Sequence, residues 1–156
     1  MKLYIVYSRS MEDSPEVTIE CATANEDLAK AKFAETKALA DKFTKEHENE
    51  SCDEEPYYWY EARMESFDIT EDRKPGDIVY VLTETIWHEC VETTVMPYLN
   101  RVNADYMVTF SKDQIKLDYP EIYPFDEDES FEESFHLTDE SVMVDVYYSV
   151  EPITIQ

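Results

Sequence analysis

Glu71-Asp72-Arg73-Lys74-Pro75-Gly76-Asp77-Ile78-Val79-Tyr80-Val81-Leu82 is the stretch on which the reading of the fold turns. Pro-Gly is a turn dipeptide, and Gly76 is the only glycine of the chain. After the turn the pattern begins again. Asp77-Ile78-Val79-Tyr80-Val81-Leu82 repeats the character of Lys2-Leu3-Tyr4-Ile5-Val6-Tyr7, an apolar run rich in β-branched and aromatic residues that reads as a buried strand. Val91 to Val95 resembles the alternating Val17-Thr18-Ile19-Glu20-Cys21, which pairs as a hairpin with the first strand. Val142 to Ile155 resembles Tyr57 to Ile69.

Between the second and third of these strands lies one clear helix, predicted over about residues 24–47. Thr23-Ala24-Asn25-Glu26 has capping-box spacing, which makes Thr23 the N-cap. Ala29, Phe33, Thr36, Ala40 and Phe43 recur at three- and four-residue steps and form its core-facing stripe. The expected fold is therefore α+β, mainly antiparallel sheet, with a degenerate β-β-α-β duplication left open. Residues 1–156 are expected to form a single compact domain, with halves 1–72 and 77–156 joined by the Pro-Gly turn. The middle of the second half is ambiguous. Tyr98 to Asp118 has no clean helical stripe, and Tyr106–Phe110 with Gln114–Asp118 could form a hairpin instead of a second helix.

Leu, Ile, Val and Phe sum to 35 of 156 residues, and twelve Tyr and two Trp add to them, enough for a real core. Charge sets this chain apart: 37 acidic against 13 basic residues, a net formal charge of −24. Residues 1–45 carry 8 acidic and 7 basic side chains, residues 46–116 carry 17 and 6, and residues 117–156 carry 12 and none. The densest acidic piece is Asp126, Glu127, Asp128 and Glu129 with Glu132 and Glu133, interleaved with Phe125, Phe131 and Phe135. A second cluster gathers Glu48, Glu50, Asp53, Glu54 and Glu55 behind Glu46. These carboxylates are the expected partner-binding residues.

Such a balance excludes direct nucleic-acid binding and anionic membranes, because phosphates need a basic patch. No apolar run is long enough for a transmembrane helix, and residues 1–7 are a strand pattern rather than a signal peptide. Three widely spaced cysteines, Cys21, Cys52 and Cys90, suit free thiols in a reducing cytoplasm. With one glycine, phosphate-cradling loops, dinucleotide fingerprints and nucleophile elbows cannot be built. His88 and Cys90 lack a second ligand pair at zinc spacing, and His47 with Cys52 is no better. The 126–129 run lacks the central glycine of a calcium loop. No catalytic residue, metal or cofactor is expected, and the chain reads as a non-enzyme.

Duplex DNA carries one charge per ~1.7 Å, so 24 charges match roughly 41 Å of duplex. A globule of 156 residues has a diameter of roughly 39 Å. The protein thus carries the charge of a DNA segment of its own length. In short length, low pI, scarce glycine, abundant tyrosine and charge layout it resembles small phage-encoded nucleic-acid mimics of the anti-restriction and anti-CRISPR type. That resemblance is one of class, with no motif matched residue by residue. It implies a phage protein acting in the host cytoplasm, with a host defence or DNA-processing enzyme as partner through its basic nucleic-acid-binding surface. Two other readings stand beside it. One is an acidic binding or chaperone-like module for a basic protein. The other is a high-salt housekeeping protein, against which nine Lys to four Arg and plentiful aromatics speak. A homodimer through a strand edge such as Val142–Ile155 is also open.

Overall fold

In the computed structural model, residues 1–11, 15–47, 59–87, 91–118, 134–138 and 143–156 are described. The chain divides into two compact units. Met1–Ile78 with Ile153–Gln156 make the first, and Val79–Pro152 make the second.

The first unit is built on β1 (Lys2–Met11), the apolar run at the start of the chain. It pairs antiparallel with β2 (Pro15–Thr23) on one side and β3 (Trp59–Asp68) on the other, giving the order β2-β1-β3. Alternation sends Leu3, Ile5 and Tyr7 to one face and Val6 and Ser8 to the other, and all five are buried. Val6 lies opposite Cys21 but Tyr7 lies opposite Ile19, so Glu20 is an extra residue on β2 and bends that edge. The helix α1 (Glu26–His47) lies on the Val6 face, where Val6, Cys21 and Ala29 pack with Tyr4, Phe33 and Met64. Its stripe is the expected one: Ala29, Thr36 and Ala40 are buried and Phe33 and Phe43 half-buried.

The cap of α1 differs from expectation. Asn25 is the N-cap: its Oδ1 accepts the backbone N–H groups of Asp27 at 3.0 Å and Leu28 at 3.2 Å. Thr23 is still in strand β2. Its hydroxyl accepts from the Asn25 N–H at 3.0 Å and donates to the Gln156 carbonyl at 2.7 Å, which ties the chain's last residue to this unit. Glu26 turns outward to Lys30 and to the Tyr4 hydroxyl rather than back to Thr23. Gly76 sits at φ +96°, the left-handed region that favours glycine, and its N–H donates to the Ile155 carbonyl at 2.8 Å.

The second unit repeats the order. β4 (Ile78–Trp87) and β5 (Val91–Tyr98) pair antiparallel, α2 (Arg101–Asp118) follows, then β6 (Ser134–Thr138) and β7 (Met143–Thr154). The sheet order is β5-β4-β7-β6. β4 and β5 correspond to β1 and β2, α2 to α1, and β7 to β3, while β6 is an addition paired antiparallel to the outer edge of β7. Residues 101–118 are helical, which removes the hairpin alternative. Ala104 and Ile115 of α2 pack with Leu82, Val146, Tyr148 and Val150 of the sheet, with Met96, Tyr98, Met107 and Val108 around them. Each large apolar side chain fully buried there contributes about 1.5–3 kcal/mol. The fold is α+β with antiparallel sheet, as read from the sequence.

Candidate functional site

The acidic residues singled out in the sequence, Glu48, Glu50, Asp53, Glu54, Glu55, Asp126, Glu127, Asp128, Glu129, Glu132 and Glu133, lie outside the described residues. So do His88 and Cys90. What the fold does fix is their place in the connectivity. Segment 48–58 joins α1 to β3, and segment 119–133 joins α2 to β6. Both clusters therefore occupy the same step of the repeated unit, the exit from its helix.

Around those segments the described elements are nearly balanced. α1 carries five acidic and five basic residues, and α2 three of each. On α1 the charges pair along the helix: Lys30 with Glu26 at 2.7 Å, Lys32 with Glu35 at 3.1 Å, Lys37 with Asp41 at 2.9 Å. The lysine ammonium beside Glu26, with the Tyr4 hydroxyl, holds that carboxyl below its ordinary value. Neither helix adds to the net charge. All 13 basic residues lie in described segments, whereas seventeen of the 37 acidic residues lie outside them. The surplus of carboxylates is thus carried largely by the connections.

Several carboxylates on the sheets are engaged. Glu61 on β3 accepts from Arg9 Nε at 2.7 Å and from Arg63 Nε at 3.2 Å. Partial burial works against its charge, but the two guanidiniums outweigh it and hold the carboxyl below its usual range. Glu65 accepts from the Tyr7 hydroxyl at 2.6 Å, and Glu20 at the bulge accepts from Ser8 at 3.0 Å. Burial, with Glu65 beside it, pushes the Tyr7 phenol well up.

Unit 2 holds one internal polar cluster that sequence reasoning missed. Ser111 of α2 donates to Glu84 of β4 and shares a hydrogen bond of 2.7 Å with the Tyr148 hydroxyl of β7. Tyr148 is buried, and burial together with Glu84 keeps its phenol protonated. Lys112 Nζ lies 5.9 Å from the Tyr148 ring centroid. Ser111 thereby joins a carboxylate and a phenol in one hydrogen-bonded network under the helix. Its one trace in the sequence is Glu84 on the same face of β4 as Tyr80, Leu82 and Ile86.

A shallow cavity of about 340 Å³ lies in unit 1 against Ser10, Leu39, Lys42, Phe43, Glu46 and Tyr60. Its charges are Lys42 and Glu46, which pair at 3.7 Å, so no set of polar groups converges into it. Among the described residues no three His, Cys, Asp or Glu side chains are placed to hold a metal, and no helix is long and apolar enough to cross a membrane. No protein-family model, curated protein or solved structure matches this chain.

Proposed function

We propose that this chain is a non-enzymatic mimic of nucleic acid, which occupies the DNA- or RNA-binding groove of a host defence or DNA-processing enzyme and inhibits it. The observation that carries the reading is the partition of charge. Two helices of zero net charge and two sheets, in which Glu20, Glu61, Glu65 and Glu84 are hydrogen-bonded, form the scaffold. Seventeen acidic residues and no basic one occupy the remaining segments, with the two densest clusters at the same step of each repeat. An anionic array of this kind steers toward basic grooves and gains affinity by direct Arg and Lys pairing.

Capture of partners from bacterial host lysate on the immobilised protein, at low and high salt, tests the reading. Nucleic-acid enzymes should be retained at low salt, eluted by salt, and displaced by added duplex DNA or guide RNA. A basic partner that is retained while its nucleic acid is present in excess would overturn groove occupancy in favour of an acidic binding or chaperone-like module.

A further inference from the structure

α2 is apolar on two opposite faces. The inner one, Ala104, Met107, Val108 and Ile115, belongs to the core of unit 2. On the outer one Val102 is 75 % exposed, Tyr106 66 %, Phe110 47 % and Leu117 71 %. At about 100° per residue these four positions fall within an arc of roughly 80°, with Asp113 between them, so they form one stripe along the helix. The other helix has no such stripe. Its exposed Leu28 and Leu39 stand eleven positions apart, with Lys32 and Glu35 between them on the same side.

We infer that this stripe is a homodimer interface, in which α2 packs antiparallel against α2 of a second copy across a two-fold axis. Two features favour a second copy as the occupant. The first is electrostatic. Two bodies of charge −24 repel, and α2, with three basic and three acidic residues, is a surface where they meet with little like-charge excess. An antiparallel two-fold centred on the middle of the stripe, between Thr109 and Phe110, sets Val102 against Leu117 twice. It also sets Tyr106 against Asp113, which gives the one acidic position within the stripe a hydroxyl to face. The second is area. Four side chains this exposed present roughly 500 Å² per copy, the size of the largest patch on a typical monomer, and two copies covering them fully bury roughly 1,000 Å², at the threshold of a specific interface. The dimer is therefore a modest one, and it places two sets of acidic connections on one particle.

Sedimentation of the full chain over a range of concentration and salt tests this. A monomer–dimer equilibrium is expected, and it should strengthen as salt rises from about 50 mM to about 300 mM, because salt screens the repulsion between copies. Tyr106→Asp and Phe110→Asp should each weaken dimerisation at least about tenfold. Neither side chain belongs to the core cluster of unit 2, so circular dichroism, and the unfolding midpoint at a concentration where the chain is monomeric, should change little. Geometry gives a second readout. At the proposed axis Phe110 of each copy is displaced by only about 1.5 Å along the helices, whereas the two Val102 positions are about 22 Å apart. Phe110→Cys should therefore form a disulfide-linked dimer under mild oxidation above the background of the native thiols, and Val102→Cys should not. A chain that remains monomeric throughout, a dimer indifferent to both aspartates, or equal cross-linking from both cysteine variants would each overturn the inference. The first of these outcomes would leave the face to a different partner.

Discussion

Glu61 shows what a carboxylate does when the scaffold, rather than a partner, uses it. It lies between Arg9 and Arg63 at 2.7 and 3.2 Å, on neighbouring strands in the first unit. Its pKa is lowered in the folded chain, so the stabilisation is present above the unfolded pKa and is lost as pH falls through the folded one. The side chain is 42 % exposed, and solvent screening limits the effect to about 0.5 kcal/mol. Glu61→Gln should lower the unfolding free energy obtained from urea melts by that amount at pH 7. The difference should shrink as pH falls below the ordinary carboxylate range and through the lowered folded pKa, where the native carboxyl becomes neutral too. Equal stability at pH 7 would mean that the paired arginines add nothing. The cluster of Glu84, Ser111 and Tyr148 makes the same point inside the second unit. Its members come from a strand, a helix and another strand far apart in sequence. No spacing rule could join them, and only the single acidic residue on an apolar strand face hinted at them.

At the level of elements, the cap of α1 is the sharpest case. Threonine followed three residues later by glutamate is a sound helix-start signal, but Asn25 lies between them and has the shorter reach to the first free N–H groups. Asn25→Ala should destabilise the chain by about 1 kcal/mol through fraying of the first turn. Hydrogen exchange should localise that loss to Asp27 and Leu28. Thr23→Ala should instead loosen the chain terminus at Gln156, because its hydroxyl bond goes there. If both substitutions deprotected the same helix amides, the assignment of the cap would be wrong. The strands were legible because β1 and β4 begin as continuous apolar runs of β-branched and aromatic residues bounded by turn residues. α2 was not. Val102, Tyr106, Phe110 and Leu117 on its outer face fill in the gaps left by Ala104, Met107, Val108 and Ile115 on its inner one. Two apolar stripes on opposite sides cancel the 3.6-residue period by which a helix is read. β6 escaped for a different reason: five residues within an acidic stretch give too little alternation to register.

For the whole molecule, the sequence displays which segments hold the charge, and connectivity adds that the two densest ones are equivalent. The relative positions of their carboxylates depend on backbone geometry that composition does not encode. Equivalence makes a prediction that composition alone does not. If each repeat contributes one anionic arm to the same partner, reversing Asp126, Glu127, Asp128 and Glu129 to Lys should weaken binding, and so should reversing Glu48, Glu50, Asp53 and Glu54. Four charges at about 0.2–1 kcal/mol each correspond to a loss of roughly fourfold to nearly a thousandfold. Most of it should appear in the association rate, since these are steering charges, and it should shrink as salt shortens the screening length to below about 8 Å. The described helices and strands should survive both changes, because neither set belongs to them. The combined variant is the decisive one. With two arms on one target the losses add or reinforce each other, whereas if only one arm is functional the second reversal costs nothing further. Partner affinity unchanged in both single variants would place the working surface on the scaffold, where Glu16, Asp68 and Glu92 are among the exposed acids of the strands.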